Sequence, residues 1–252
     1  MFIFVSIGIY IKGFHLNILM FEYWFMFPIG IIVATLAMST LVGGATFFSP
    51  LFILVLSLEP HVAIASALMI KFFGFTTGLV RYMFQKAIDY RMGFFLLLIT
   101  IPYAIIGSFL ATKLDPYIIR ILLGVIIIWI GKKLLDHNIL KIKINGKNIN
   151  INFTQSRHSK IIQLEPKELQ KNIFQTSLGS IFLGMTSAGL GELLGFNWIK
   201  ETNTNLKNLV ATTVFIIAIT TFATSVTHFY TLFTTNLEGL YQAFDILIFA
   251  VP

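Results

Sequence analysis

Cysteine is absent from the 252 residues of this chain, and charged residues are scarce, at 12%. A chain without cysteine has no disulfide framework, no thiolate nucleophile and no cysteine-ligated metal. Charged residues make up about a quarter of an average soluble domain, so this chain carries about half of that share. Both deficits argue against a disulfide-rich secreted protein and against an ordinary soluble domain.

Hydrophobic residues, in contrast, make up 56% of the chain, and 26 residues are phenylalanine. This composition is typical of a multi-pass protein of the lipid bilayer, and the length allows roughly six to eight spans of about 20 residues each. We therefore predict an all-α transmembrane helix bundle in the cell (plasma or inner) membrane. The net charge of +7 does not indicate a nucleic-acid partner, because the lysines lie in loops and form no basic face interleaved with aromatic residues.

Motifs for ATP use and for hydrolysis are missing as well. The sequence has no G-x-x-x-x-G-K-[ST] phosphate loop, which argues against ATP-driven transport. It has no H-E-x-x-H helix and no paired aspartates within its apolar runs, so we predict no metal site, no cofactor and no enzymatic activity. If the chain is a transporter, the missing phosphate loop favours secondary transport. The alternatives are an intramembrane enzyme, and a truncated, non-transporting remnant or accessory membrane subunit.

The apolar runs divide the chain into four regions. We predict an N-terminal apolar or interfacial segment at residues 1–26, a first transmembrane repeat at 27–136, a cytoplasmic basic linker at 137–172 and an incomplete second repeat at 173–252. The predicted spans are roughly Val62–Met83, Met92–Thr112, Tyr117–Leu135, Phe174–Gly191 and Leu209–Phe233, with a last run from near Ala243. About ten residues are too few to cross a bilayer as a helix, so we expect the chain to be cut short.

The first apolar stretch, Phe27–Leu58, is too long for one straight span. As a helix it would measure about 48 Å, against a hydrocarbon core of about 30 Å. We place the break at Gly43 and Gly44, with Pro50 just beyond, because these residues weaken or interrupt a helical hydrogen-bond ladder. The first repeat should therefore start with an interrupted helix.

Basic residues predict the orientation of the chain. Twelve of the 18 lysines and arginines lie either between Arg81 and Arg91 or between Lys132 and Lys171. The positive-inside rule places both of these loops in the cytoplasm. Four spans between the two interruptions would put the repeats in parallel orientation, whereas an inverted pair needs an odd number.

Two stretches 147 residues apart resemble two versions of one module. Around Gly44 the sequence is LAMSTLVGGATFFSP, followed by an apolar run ending FTTGLVRY. Around Gly191 it is LGMTSAGLGELLGF, followed by an apolar run ending FATSVTHF. Interrupted apolar segments at matching places in two halves of a membrane protein indicate a transporter binding site.

Several short motifs carry a family resemblance. They are, in order, Glu59–Ala63, Ser66, Gly78–Tyr82, Ile88–Arg91, Ile106–Ser108 and Leu123–Val125 in the first half, and Gly189–Glu192 and Ala211–Thr213 in the second. In this order and spacing they resemble the sulfite exporter TauE/SafE family, over about residues 28 to 252. The resemblance implies an integral membrane transporter, and a probable exporter, of a small anion such as sulfite or an organosulfonate. It does not specify an oligomeric state.

The helix breaks predict the anion site. Half-helices that end at such breaks expose N-terminal N–H groups and the positive end of a helix dipole, both of which favour an anion. Hydroxyls and one lysine inside an apolar run would complete the site, and helix packing or capping is the alternative role for each residue. The predicted substrate-binding residues are Gly43, Gly44, Ser66, Lys71, Gly189, Gly191, Thr212 and Thr213.

Glu192 is the predicted proton-coupling residue. It follows the second break at the end of an apolar span, and an acidic group at mid-membrane costs about 2.5–3.5 kcal/mol to insert, so its presence indicates function. The alternative is a carboxylate at the membrane edge that caps a helix or pairs with Lys200. His228 ends the matching helix of the second module; a histidine there could titrate near neutral pH, but a lone interfacial histidine is predicted to be structural.

Overall fold

The computed structural model describes residues 28–32, 45–135, 166–191 and 206–250. Every regular element in these ranges is an α-helix, which confirms the all-α prediction. The seven longer helices there are α1 (Ala45–Leu54), α2 (Pro60–Phe84), α3 (Tyr90–Lys113), α4 (Pro116–Leu135), α5 (Pro166–Thr186), α6 (Leu206–Thr235) and α7 (Leu237–Ala250). Residues 28–32 are also helical, and residues 190–191 begin a further turn.

The helices have the length and surface of membrane spans. Three of them are long and apolar enough to cross a bilayer, at Pro60–Phe84, Tyr90–Lys113 and Lys207–Thr235. Large apolar side chains are widely exposed, and Leu98, for example, is 78% exposed. Apolar surface on this scale is rare on soluble monomers and marks an interaction surface. The lipid bilayer is the partner that fits it.

Side-chain caps fix the starts of three helices, and at the start of α4 the Asp115 carboxylate accepts a hydrogen bond from the N–H of Tyr117 at 2.8 Å. The Asp89 carboxylate accepts hydrogen bonds from the backbone N–H groups of Arg91 at 3.1 Å and Met92 at 3.2 Å, at the start of α3. Asn236 caps α7 in a similar way, because its Oδ1 accepts a hydrogen bond from the N–H of Gly239 at 2.8 Å. Such caps satisfy N–H groups that have no partner within the helix.

The helices α2 and α6 form an antiparallel pair. Asn236, just after α6, donates a hydrogen bond from Nδ2 to Oε2 of Glu59, just before α2, at 3.0 Å. At the opposite end of the pair, Gly78 of α2 lies beside Val214 of α6. The start of each helix therefore lies next to the end of the other.

The remaining long helices pack around this pair. The backbone N–H of Asp89 donates a hydrogen bond to Oγ1 of Thr212 at 2.9 Å, and further along the hydroxyls of Thr100 and Thr220 bond at 2.9 Å. These contacts show that α3 runs parallel to α6. The helix α3 therefore packs against α6, and α7 packs mainly against α2.

Glycines allow α3 and α5 to touch backbone to backbone. A Cβ atom at Gly184 would collide with the carbonyl oxygen of Ala104, and one at Gly107 would collide with that of Ile181. Small residues at helix contacts are typical of membrane proteins, where close approach replaces the hydrophobic effect as the main source of association. This contact fixes the end of α5 against α3.

The course of α6 corrects the parallel orientation expected from the count of spans. Near the end of α5, the carbonyl of Gly184 accepts a hydrogen bond from Nε2 of His228, near the end of α6, at 2.7 Å. The start of α6, in contrast, lies beside Asp89. The end of α5 and the start of α6 therefore lie toward opposite ends of the bundle. The helix α6 is therefore antiparallel to α2, whereas the count of four spans gave a parallel orientation.

The last helix also begins earlier than the predicted span. It starts at Leu237 rather than near Ala243, because Asn236 caps it and Glu238 in its first turn interacts favourably with the helix dipole. A hydropathy pattern alone assigns such polar first turns to loops. The helix α5 likewise begins at Pro166 and not at Phe174, because its first two turns are polar and a hydropathy pattern assigns them to a loop.

Candidate functional site

A buried lysine is the main charged feature inside the bundle. Lys71 lies near the middle of α2 and is only 3% exposed. Its Nζ donates a hydrogen bond to the backbone carbonyl of Ser187 at 3.2 Å and lies 5.9 Å from the centroid of the Phe75 ring. An ammonium group is costly to bury unless polar partners surround it. The environment of Ser187 therefore matters for the role of Lys71.

The helix α5 breaks at Ser187. Its backbone φ is +64°, and that of Gly189 is +115°, so both residues are in the left-handed region that ends a helix. At Gly189 a Cβ atom would come within 3.0 Å of Cβ of Phe182, so glycine suits both the space and the φ value. The break leaves the Ser187 carbonyl outside the helical ladder, where Lys71 bonds to it.

Buried hydroxyls join the lysine at the break. The Oγ atoms of Ser49, in α1, and Ser187 form a short hydrogen bond. Thr46 is also buried, and it lies one turn before Ser49, on the same face of α1. The first turns of α1, the broken end of α5 and the cation from α2 thus meet at one place, which we call the Lys71 site.

Three of the predicted hydroxyl residues do not come together. Ser66 donates to the carbonyl of Val62 in its own helix at 2.9 Å. Thr212 donates to the carbonyl of Asn208 at 2.8 Å, and Thr213 is half-buried. Because α2 and α6 are antiparallel, Ser66 lies toward one end of the pair and the two threonines lie toward the other. A substrate-binding role for these residues stays a prediction.

The predicted glycines are described only in part. Gly189 lies at the broken end of α5, and Gly191 is buried in the turn that follows. Gly43, Gly44 and Glu192 lie outside the described residues. The joint action of the two helix breaks and the proton-coupling role of Glu192 therefore stay predictions.

The sequence analysis missed the serines of the Lys71 site. Ser187 lies in the TSAG segment of the second module, and Ser49 lies in the FFSP segment of the first. Their position beside the predicted breaks was a usable signal. Serines in membrane helices usually bond to carbonyls of their own helix, so the sequence could not show that these two bond to each other.

Acidic and histidine side chains do not form a metal centre in the described ranges. No group of three or more of them is placed to hold a metal ion there. At the Lys71 site the cationic group is the buried side chain of Lys71.

Comparison with known proteins identifies the family. The family model of the sulfite exporter TauE/SafE matches residues 26–252. No curated protein and no solved structure matches the chain significantly. The match includes all the helices that form the Lys71 site and nearly the whole chain. Members of this family are integral membrane transporters, as the long apolar helices require. This chain belongs to the sulfite exporter TauE/SafE family.

Proposed function

We propose that this protein is a secondary transporter that exports a small sulfur oxyanion, sulfite or an organosulfonate, and binds it at the Lys71 site. The observation that carries the proposal is the 3% exposed ammonium of Lys71 at the broken end of α5. Ionisable side chains inside membrane bundles are costly to insert and usually mark the path of a substrate or ion. A family of sulfite exporters requires a cationic or N–H-rich place for its anion.

The chemistry of the Lys71 site suits an oxyanion. A lysine ammonium carries three N–H donors, and sulfite and sulfonates present several acceptor oxygens with delocalised negative charge. Hydrogen bonds between an ammonium and an anionic oxygen are shorter and stronger than those to a neutral carbonyl. Serine hydroxyls, such as those of Ser49 and Ser187, donate as well as accept. A substrate oxygen can therefore replace the Ser187 carbonyl as the partner of Lys71.

This replacement links substrate binding to the position of α5. Without substrate, the bond between Lys71 and the Ser187 carbonyl ties the end of α5 to α2. A bound anion replaces the Ser187 carbonyl as the hydrogen-bond partner of the Lys71 ammonium. The bond that holds the end of α5 to α2 is then broken. Broken helices at a mid-membrane site are a recurring device by which transporters expose a site to one side and then the other.

The two helix breaks and the acidic residue complete the proposal. Gly189 and Gly191, with Gly43 and Gly44 as their counterparts, let half-helix N–H groups face the anion. Glu192 serves as a proton acceptor beside the second break, so that anion movement is driven by an ion gradient. The absence of a phosphate loop from the sequence supports a gradient as the energy source.

Transport of radiolabelled sulfite in proteoliposomes tests the role of the cation. Lys71→Met should lower the flux roughly 10- to 100-fold, because it removes a hydrogen bond to a charged ligand worth about 1.5–3 kcal/mol. Lys71→Arg, which keeps the charge, should lower it less. Lys113→Met is the matched control, because Lys113 is exposed in the last turn of α3. Wild-type flux in Lys71→Met would remove Lys71 from the substrate path.

The same assay tests the second break and the proton acceptor. Gly191→Leu should fill the buried turn after the break and abolish flux, whereas Gly131→Leu should not, because no atom lies within 4 Å of a Cβ added at Gly131. Glu192→Gln should remove the response of flux to a pH gradient while the protein still inserts. A wild-type response in Glu192→Gln would return Glu192 to the role of a helix cap.

A further inference from the structure

A polar cavity, separate from the Lys71 site, lies at the end of the bundle where α2 begins and α6 ends. Its volume is about 120 Å³, and its lining includes Glu59, His61, Thr112 and His228. This end is opposite to the turn between α2 and α3, which carries Lys86 and which the positive-inside rule assigns to the cytoplasm. The cavity therefore faces the non-cytoplasmic side, and it has room for several water molecules.

His228 is the most buried titratable side chain of this cavity. It is 1% exposed, and its Nε2 bonds to the backbone carbonyl of Gly184 at 2.7 Å. A carbonyl oxygen only accepts hydrogen bonds, so Nε2 must carry the hydrogen. The neutral imidazole then has its lone pair at Nδ1. Nδ1 is the atom of His228 that can take up a proton.

The other titratable groups at His228 come from the start of α2. His61 and Glu59 line the same cavity, and Nδ1 of His61 is buried without a hydrogen-bond partner in the described part of the chain. The helix α3 contributes Thr112, and α5 contributes the Gly184 carbonyl; neither brings a charge to the lining. A carboxylate and two imidazoles in one small cavity can relay protons, and the negative charge of the carboxylate disfavours an anion there.

His228 and Lys71 act on the same short stretch of α5. His228 holds the Gly184 carbonyl, and Lys71 holds the Ser187 carbonyl three residues later. One side chain lies on α6 and the other on α2, so the broken end of α5 is tied to both members of the central pair. A change of charge at His228 therefore acts on the broken end of α5, which must separate from Lys71 when the substrate binds.

We propose that Nδ1 of His228 binds the proton that is exchanged for the exported anion, and that this proton arrives from the non-cytoplasmic side through the cavity shared with His61 and Glu59. The inference rests on the proposed function. It assigns a second proton-binding group in addition to Glu192.

Protonation of His228 opposes anion binding through α5. The imidazolium donates a charge-assisted hydrogen bond to the Gly184 carbonyl, which is stronger than the bond from neutral imidazole. The end of α5 then stays in the position in which the Ser187 carbonyl accepts the hydrogen bond from Lys71. The ammonium of Lys71 is then not available to the anion. The anion binds when that tie is released, so proton and anion exclude each other. Exclusive binding of two ligands to one transporter produces exchange, here anion export against proton uptake.

The transport test uses the full chain in liposomes that contain sulfite and a pH-sensitive dye. Sulfite efflux by the wild type should be accompanied by proton influx. His228→Gln keeps a side-chain N–H for the Gly184 carbonyl but cannot titrate, so proton influx should fall at least about tenfold. Exchange of labelled for unlabelled sulfite at equal pH should persist, because it moves no net proton. His158→Gln, in the predicted linker, is the matched histidine control.

A substrate-free measurement separates this inference from the proposed function. In protein labelled with ¹⁵N-histidine, the resonances that disappear in His228→Gln belong to His228. They should show a hydrogen on Nε2 in the neutral state and titrate at Nδ1, and His61→Gln should move the midpoint. This result stands even if the wild type carries no sulfite, which would overturn the proposed function alone.

Three outcomes would overturn the proton site. They are a hydrogen on Nδ1 in the neutral state, no titration of His228 in the folded protein, and wild-type proton influx in His228→Gln. If His228→Gln does not insert, His61→Gln decides: an unchanged midpoint and unchanged proton influx contradict the relay.

Discussion

The central helices α2 and α6 share a course but differ in chemistry. They have 25 and 30 residues, run antiparallel and both pack against α7. At the 147-residue spacing, however, Lys71 of α2 corresponds to Ala218 of α6. Both positions are buried, at 3% and 1% exposed. The formal charge therefore lies on α2 and not at the position of α6 that this spacing pairs with it.

The buried hydroxyls of α6 do not substitute for that charge. Thr221 donates to the carbonyl of Ile217 at 2.5 Å, and Thr224 donates to that of Thr220 at 2.9 Å. Both of these hydroxyls are satisfied within α6, which is the usual state of threonine in membrane helices, whereas Thr220 bonds across to Thr100 of α3. The comparison teaches that polar residues along a span do not by themselves mark a path for the substrate. A buried charged side chain that bonds outside its own helix, as Lys71 does, is the better indicator.

Moving the charge from α2 to α6 is the strongest test of this comparison. Ala218→Lys should destabilise the protein by about 3 kcal/mol, because it places a longer, charged side chain in a filled position. The double variant Lys71→Ala with Ala218→Lys should not recover sulfite transport. Unfolding in mixed micelles and flux in liposomes measure the two effects, and Ala218→Leu controls for size. Recovered transport in the double variant would show that the two helices are interchangeable.

The contact between α3 and α5 should be less tolerant than the contact between α2 and α6. Gly184→Ala places a Cβ against the Ala104 carbonyl and should cost about 1–3 kcal/mol by overpacking. Gly78→Ala, where the nearest atom is a side-chain carbon of Val214 at 3.9 Å, should be neutral or stabilising by up to about 1 kcal/mol through helix propensity. Denaturation of both variants in the same micelles gives the comparison, and equal costs would contradict the tight backbone contact.

Composition and hydropathy predicted the helical class and the membrane setting, because burial of backbone groups in lipid leaves few alternatives. The location of Lys71 inside an apolar helix was also predicted, because the sequence shows a lysine within an apolar run. The antiparallel course of α6 was not, because a count of apolar runs does not specify which ends of two helices lie together. The bond between Ser49 and Ser187, and the cavity around His228, depend on which helices become neighbours. Local patterns do not specify that.

The smallest expected effect concerns two of the helix caps, Asp89 and Asn236, which are 147 residues apart. Each accepts a hydrogen bond from the first turn of the following helix, so each change to alanine should cost about 1 kcal/mol. Because the caps lie at opposite ends of the central pair, the costs in the double variant should add within about 0.5 kcal/mol. Unfolding in micelles measures all three variants. A cost at only one position would mean that the repeat spacing matches the two caps by coincidence, whereas similar and additive costs support a common plan for both halves.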